Sequence, residues 1–462
     1  MDRKLFIVRQ KDYDVGTIII DEEGECHYGK IINPDRTPFS KTDDERYLFM
    51  WWRDRGIPEN RQKLSELLKE HGCSTPQELL LKNWGLSLTD TYWICPEEYK
   101  DLKYEDVNLF DHGNDKMIFH SGYGRVHYTG SVNAATGGTL DKRAVKKENE
   151  WYLEKGYGTG YPDGQQNVNE IFLSYMHELQ GYEEYTPYSV SVINDGNRTI
   201  CEKSICKFFT SKDIELITAD QLSQMYSRDN IDEAKNILEK YINTCSLNGL
   251  DSEYVQNSLD YMMLMDYITT NSDRHWSNFG ILRDPNTLKY ISIAPIYDNG
   301  NSMFYNSSYE LSRLSLTRLE DNGITKNEIG RLSLIKNRNL IKTDMLPSPS
   351  EVKEFYQNYG IREERAEIIS RSYSHKLDLF LEYTHGITIS VSRELEGYNN
   401  EPPYIDQKPN PIYFTDDKEE INSKQEGKLI DVKENLRKIK ADNSKTTIKH
   451  DIKPRENKHI ER

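Results

Sequence analysis

The sequence predicts an α+β fold built as two domains or one large two-lobed unit, on three observations. The chain has 462 residues, about three times a common single-domain length. Short strand-like runs dominate up to residue 215. Helical spacing then dominates residues 216–390. The expected organisation is an N-terminal α/β module (1–115), a β-rich part (116–215), a mainly helical part (216–390) and a charged, disordered tail (397–462).

The elements follow from local pattern. LFIVRQ (5–10) and VGTIIID (15–21) read as strands; KLSELLKE (63–70) and PQELLLKNWG (76–85) have helical spacing, with a glycine suited to stop the second. Trp51, Trp52, Trp84 and Trp93 are spread through this region and suggest a packed core, because aromatic rings bury large areas. MIFHSGYGRVHYTG (117–130) and WYLEKG (151–156) read as strands. In NVNEIFLSYMHELQG (167–181), Ile171, Phe172, Tyr175, Met176 and Leu179 form one apolar helix face, and Gly181 suits the C-terminal cap. ICKFFTSKD (205–213) reads as a strand. SEYVQNSLDYMMLMDYITT (252–270), EVKEFYQNYG (351–360) and AEIISRSYSHKLDLFLEYTHG (366–386) read as helices. EPPYIDQKPNPIYF (401–414) is proline-rich, and residues 415–462 are a Lys/Glu/Asp/Asn mixture with few large apolar groups, a composition that does not build a core.

Bulk composition excludes several classes. The formal net charge is −16, which disfavours direct nucleic-acid binding, since phosphate contacts want Lys or Arg. It also weighs against a membrane surface. The six cysteines are scattered, without Cys-x-x-Cys or Cys/His ligand spacing, as in a reduced, cytoplasmic protein. No apolar run reaches the ~20 residues a bilayer span needs, and the N-terminal apolar core is short for a signal peptide.

The chemistry concentrates in NSDRHWSNFG (271–280) and IYDNG (296–300). Asp273 and Asn278 have the Asp-x-x-x-x-Asn spacing of protein-kinase catalytic loops, where the Asp receives the hydroxyl proton and the Asn oxygen holds magnesium. Asp298 follows ISIAPIY (291–297), a strand ending in a turn. Magnesium takes oxygen ligands and uses few protein groups when phosphate supplies the rest, so Asn278 and Asp298 suffice. Each residue also has a plainer reading: Asp273 as a turn residue after the 253–270 helix, Asp298 in an Asp-Asn-Gly turn, His275 as a hydrogen-bonded structural histidine.

The segments NSDRHWSNFGIL and APIYDNG resemble the catalytic and metal-binding segments of HipA-like Ser/Thr kinases, a protein-kinase-like and phosphatidylinositol-kinase-like fold. The resemblance implies Asp273 as catalytic base, Asn278 and Asp298 as magnesium ligands and His275 in support. It extends upstream. GGTLDKRAV (137–145) resembles the phosphate-covering loop, with Gly137 and Gly138 allowing close backbone approach. WYLEKG resembles the strand carrying the ATP-contacting lysine, here Lys155, with Lys146 and Lys147 as rivals. NVNEIF (167–172) resembles the start of the helix whose glutamate, here Glu170, supports that lysine. The stretch around Lys207, Phe208 and Phe209 resembles the hinge whose backbone binds adenine. Over residues 115–385, the motif order is loop, lysine, glutamate, hinge, catalytic loop, metal aspartate.

The resemblance implies a two-lobed kinase that uses ATP and Mg2+ to phosphorylate Ser or Thr of a protein. It also implies a small antitoxin or regulatory partner and autophosphorylation at Ser131, Thr136 or Thr139 near the glycine loop. Two departures stand out. The loop lacks the Ser-Gly-x-Gln-x-Lys pattern of toxin members, and the order here is Asp-Arg-His, not His-Arg-Asp. The alternatives are a catalytically silent binding module, a kinase of lipid or small-molecule hydroxyls, and a metal-dependent hydrolase at Asp273, His275 and Asp298.

Overall fold

The computed structural model describes residues 3–38, 43–60, 63–113, 117–121, 124–128, 142–156, 164–194, 199–223, 231–398 and 428–430. It mixes antiparallel sheets with many helices. Strands β1 (Arg3–Gln10), β2 (Tyr13–Asp21), β3 (Cys26–Ile31) and β4 (Tyr92–Pro96) form one sheet in the order β3-β2-β1-β4. Val8, Ile18 and Ile20 point from it into a core, as period-2 alternation requires. The helix Arg46–Arg55 packs there with Leu48, Trp51 and Trp52. All four tryptophans named from the sequence are buried, and the rings of Trp84 and Trp93 stack at 6.3 Å. The same core takes in Ala144 and Trp151 from farther along the chain.

A hairpin comes next, β5 (Met117–Ser121) with β6 (Gly124–Tyr128). A five-stranded sheet is then built from β7 (Lys142–Lys147), β8 (Glu150–Lys155), β9 (Tyr188–Asn194) and β10 (Thr199–Lys207), completed by β14 (Lys428–Ile430), in the order β14-β9-β10-β8-β7. The strand expected over 205–213 therefore ends at Lys207: Phe208–Asp213 form a connector with a tight Ser211/Ile214 bridge. The tail expected to lie apart contributes one short strand, antiparallel to β9; most of 399–462 falls outside the described residues. The helix Gln165–Gln180 packs on β9 and β10 through Val168, Ile171, Phe172 and Met176. It stops at Gly181, whose φ of +65° is the left-handed value a glycine adopts without a Cβ penalty.

A three-stranded sheet, β11 (Glu215–Thr218), β12 (Gly280–Arg283) and β13 (Tyr290–Ile293), is embedded among helices that include Ser252–Ile268, Pro349–Asn358 and Glu363–Thr384. Gly280 must be glycine: a Cβ there would stand 2.1 Å from the Ile217 carbonyl oxygen. The connector and this sheet are fastened to the first hundred residues. Buried Glu215 accepts from Arg283 Nε at 2.7 Å, Gln10 Nε2 at 2.7 Å and Thr91 Oγ1 at 3.0 Å. Leu216 N donates to Thr89 O at 2.9 Å, and Thr210 Oγ1 to Leu88 O. All six cysteines are free thiols. No helix among the described residues is long and apolar enough to cross a membrane.

His177 lies wholly buried on the Gln165–Gln180 helix, its Nδ1 3.0 Å from the Tyr261 hydroxyl and its ring 5.0 Å from Tyr185. Burial, with a smaller push from Arg274, lowers its pKa from 6.5 to about 3. Between those values the unfolded chain binds a proton that the folded chain refuses. The stabilising effect of neutral His177 is thus complete above pH 6.5 and is lost as pH falls toward 3. His177→Gln should flatten the decline measured by denaturant titration, removing up to about 1.4 kcal/mol per pH unit from its slope.

Candidate active site

The site is built from three segments that arrive from different parts of the chain. The first is the end of β8, which carries Lys155 into a buried position. The second is the first turns of the Gln165–Gln180 helix. Its opening residues Gln165, Gln166, Asn167, Asn169 and Glu170 are polar, yet all are buried. The third comprises the loops that come after the Ser252–Ile268 helix and strand β13.

Lys155 Nζ lies 2.5 Å from Glu170 Oε1 and 2.9 Å from Asp298 Oδ1. Lys142 Nζ, from β7, approaches the other oxygen of Asp298 at 3.5 Å. Burial alone would push the Asp298 carboxyl up, but Lys142 and Lys155 outweigh it and hold it well below the usual carboxylate range. Burial would likewise push Lys155 down, and Asp298 and Glu170 instead hold it well above its ordinary value. The pair is therefore a carboxylate and an ammonium at any physiological pH. Glu170 Oε2 also accepts from Asn299 N at 2.9 Å, so one side chain fixes both the lysine and the backbone beside Asp298.

Asp298 adopts φ +57°, a conformation that Asp tolerates better than most side chains. The Ile296 segment before it is pinned through Ile296 N to Glu184 O and Thr186 N to Ile296 O, each 2.9 Å. The segment after it is gripped by the buried helix face: Asn169 Nδ2 donates to Gly300 O and Ser302 O, both at 2.7 Å, and Gln165 Nε2 to Met303 O at 2.8 Å. A Cβ at Gly300 would stand 3.3 Å from Gln166 O, so glycine lets this segment lie close to the helix.

The Asp273–Asn278 loop is held from beneath by Arg274, which is fully buried. Its guanidinium donates to both oxygens of Asp266 at 2.9 and 3.1 Å, to Asn278 O at 2.9 Å, to Tyr297 O at 2.5 Å and to Asn299 Oδ1 at 2.5 Å. One nitrogen, Nη1, thus ties the carbonyls of Asn278 and Tyr297 together and sets Asn278 beside Asp298. Asp273 lies at the half-buried surface of this loop. Its Oδ2 accepts from Asn301 Nδ2 at 2.8 Å and its Oδ1 meets Asn322 Nδ2 at 3.4 Å. Asn301 in turn accepts from Gln166 Nε2 at 2.7 Å. His275 serves the turn: its N donates to Asp273 O at 2.8 Å and its Nδ1 accepts from Ser277 N at 3.3 Å.

The donor set fits magnesium. Asn278 Nδ2 is committed to Asp273 O at 2.9 Å, so the amide orientation is set and Oδ1 is the face left for a cation. Asp298 keeps about a third of its side chain exposed (32%) and offers a charged carboxylate. Two hard oxygen donors, one of them charged, are of the kind this ion prefers. Among the described residues, no group of three His, Cys, Asp or Glu could hold a metal.

The structure thus brings Lys155, Glu170 and Asp298 into direct contact and sets Asp273 and Asn278 on the adjoining loop. Lys146 and Lys147 are engaged elsewhere, with Phe110 O at 3.3 Å and Glu154 at 3.2 Å. In the connector, Phe208 N is taken by Trp151 O at 2.9 Å, Lys207 Nζ pairs with Glu150 at 3.1 Å, and the Phe209 ring lies 5.5 Å from that of Tyr297. Gly137, Gly138, Ser131, Thr136 and Thr139 lie outside the described residues. Sequence reading missed Arg274, Asp266, Lys142, Asn301 and Gln166. A signal existed for Arg274, a charge flanked by the motif residues themselves. The QQN run at 165–167 is a weaker one, polar where the helix should begin to bury itself.

No protein-family model matches the chain, and no curated protein matches it. Solved structures to which it is similar include the following two. One is the proinflammatory kinase CtkA of Helicobacter pylori, at 17% identity and TM-score 0.37, covering 56% of this chain and 93% of that one. The other is HipA of Shewanella oneidensis MR-1, solved with HipB and operator DNA, at 13% identity and TM-score 0.43, covering 84% of this chain and 98% of that one.

Arg274→Met should be among the most damaging single changes near the site. It takes from buried Asp266 the nearer of its two cations, leaving Arg331 Nη1 at 3.9 Å, and breaking a buried pair in this way costs about 3–5 kcal/mol. Thermal and denaturant unfolding of the variant measure that loss directly.

Proposed function

We propose that the chain is a two-lobed, HipA-like kinase that transfers the γ-phosphoryl group of ATP to a Ser or Thr hydroxyl of a protein. The observation that carries this reading is Lys155 held between Glu170 and Asp298 at 2.5 and 2.9 Å. A lysine–glutamate pair beside a metal-binding aspartate is the arrangement phosphoryl transfer requires in protein kinases. The sheet containing β7–β10 is the smaller lobe in this reading, and the helices around Asp273 the larger.

The roles derive from the contacts. Lys155 holds phosphate oxygens of ATP, with Glu170 keeping it extended. Lys142 is a second phosphate-facing cation that the sequence motifs did not include. Asn278 Oδ1 and Asp298 would hold magnesium, which supplies positive charge against the phosphates. Asp273 orients the acceptor hydroxyl and takes its proton as the oxygen bonds to the γ-phosphorus and the bond to the β-phosphate oxygen breaks. Since Phe208 N is already paired, adenine would meet other backbone groups of the 207–210 connector, beside Phe209. Gly137 and Gly138 would cover the phosphates, and Ser131, Thr136 or Thr139 would be targets of autophosphorylation. A protein substrate and a regulatory partner of antitoxin type belong to the same reading.

Purified wild type incubated with Mg-ATP, with or without a panel of protein substrates, should gain or transfer phosphate by intact mass and phosphosite mapping. Asp273→Asn should lower the rate by about 10²–10⁴-fold, the usual worth of a general base, while unfolding like the wild type. Lys155→Met should weaken ATP binding. A wild type that binds ATP but phosphorylates neither itself nor any supplied protein would refute the reading, and transfer to a lipid or small hydroxyl alone would favour the rival kinase.

A further inference from the structure

The Gln165–Gln180 helix touches the site twice. Glu170 reaches Lys155 and the backbone at Asn299. One turn earlier, Gln166 reaches Asn301, and Asn301 reaches Asp273. The second connection has a polarity. Gln166 Nε2 donates to Asn301 Oδ1 at 2.7 Å. The Asn301 amide is thereby compelled to present Nδ2, and this donates to Asp273 Oδ2 at 2.8 Å. An amide has one accepting and one donating end, so the orientation of the first fixes the second. Among the described residues, the other oxygen, Oδ1, is approached by Asn322 Nδ2 at a long 3.4 Å.

We propose that Gln166 and Asn301 form a positioning relay that assigns the two oxygens of Asp273 to different tasks. Oδ2 is anchored by Asn301, and Oδ1 is presented to the acceptor hydroxyl, which displaces the Asn322 amide when it arrives. Neither Gln166 nor Asn301 touches the reacting atoms; they act through Asp273. The relay rests on the kinase reading above. It adds that the helix holding the ATP-contacting lysine also sets the base, so the two halves of the chemistry are aligned by one rigid element. Gln166 is 5% exposed, while Asn301 and Asp273 are half-buried.

The test reverses the polarity. Gln166→Glu keeps the side chain's length and can only accept. Asn301 then turns its Nδ2 toward the new carboxylate and its Oδ1 toward Asp273, oxygen against oxygen. Gln166→Met has a similar length and gives up the hydrogen bond without reversing it. We expect kcat to fall in the order wild type, Gln166→Met, Gln166→Glu, the last by about 10²-fold, as expected for a displaced catalytic group, with the KM for ATP unchanged. Asn301→Asp places a carboxylate against Asp273 and should match Gln166→Glu, and it carries the comparison with Gln166→Met if the glutamate variant does not fold. Equal losses in the methionine and glutamate variants, or losses shared between kcat and the KM for ATP, would mean that these residues only support the fold, and the relay is wrong.

If the wild type itself transfers no phosphate, the kinase reading has failed and the relay is read separately. Selective labelling of asparagine then tracks hydrogen exchange of the Asn301 side-chain amide. Protection in the wild type that is lost in Asp273→Ala, and restored when Gln166→Glu is added to that variant, supports the relay, because the amide then donates to the new carboxylate instead. Any other pattern overturns it.

Discussion

The ion pair between Asp266 and Arg274 is the constraint on which the site depends. Both side chains are fully withdrawn from water, where an isolated charge is too costly to keep. Burial tends to strip the arginine of its proton, and Asp266 more than restores it. The guanidinium's remaining hydrogens go to Asn278 O, Tyr297 O and Asn299 Oδ1. A planar fork of donors suits this task. A lysine could satisfy Asp266 but could not reach three further acceptors. The two loop segments of the site are joined through this one side chain as well as by direct bonds, Ser272 N to Asn301 O at 3.2 Å and the Tyr297 hydroxyl to Ser277 O at 2.9 Å.

A second buried charge system lies behind the first. Arg331 bonds to Asp321 and donates to Asn271 O at 3.0 Å, and Lys376 pairs with Glu328 on a neighbouring turn. Asp321 precedes Asn322, which faces Asp273. Such groups stabilise little in net terms, because desolvation offsets attraction. Their value here is geometric. Arg331 fixes the loop backbone at Asn271, and the Lys376–Glu328 pair joins the Glu363–Thr384 helix to the helix Glu328–Leu332. The left-handed φ of Asp298, Met303 and Phe304 is tolerated because Glu170, Gln165 and Arg365 hold Asn299 N, Met303 O and Phe304 O and so over-determine the segment.

The elements with strong periodicity were legible in the sequence. The Ser252–Ile268 helix and the strands β1 and β2 match their readings closely. The connector after Lys207 was not: FFT looks like strand, yet Phe208 leaves β10 to pack toward the tryptophan core of the first hundred residues, a contact that local pattern cannot reveal. In the site, the residues that would touch substrate stand in short motifs and could be picked out. Those that hold them could not. Gln166, Asn301 and Asp266 are ordinary polar residues until the fold brings their partners over distances of 135 and 8 positions in the chain. Lys142 was hidden for the same reason, since its partner Asp298 comes from a distant loop.

The attachment of the first hundred residues changes what a minimal version of this chain can be. Glu215 sits where the connector enters the helical part and is satisfied by Gln10 and Thr91 as well as by Arg283. Trp151, on the strand that ends in Lys155, is buried against the same N-terminal core. Cutting the chain before residue 117 would strip a buried carboxylate of two donors and bare an indole next to the lysine strand. The segment is thus no passenger: its surface toward Glu215 and Trp151 is interior to the fold, and any other leader joined here would have to rebuild that interior.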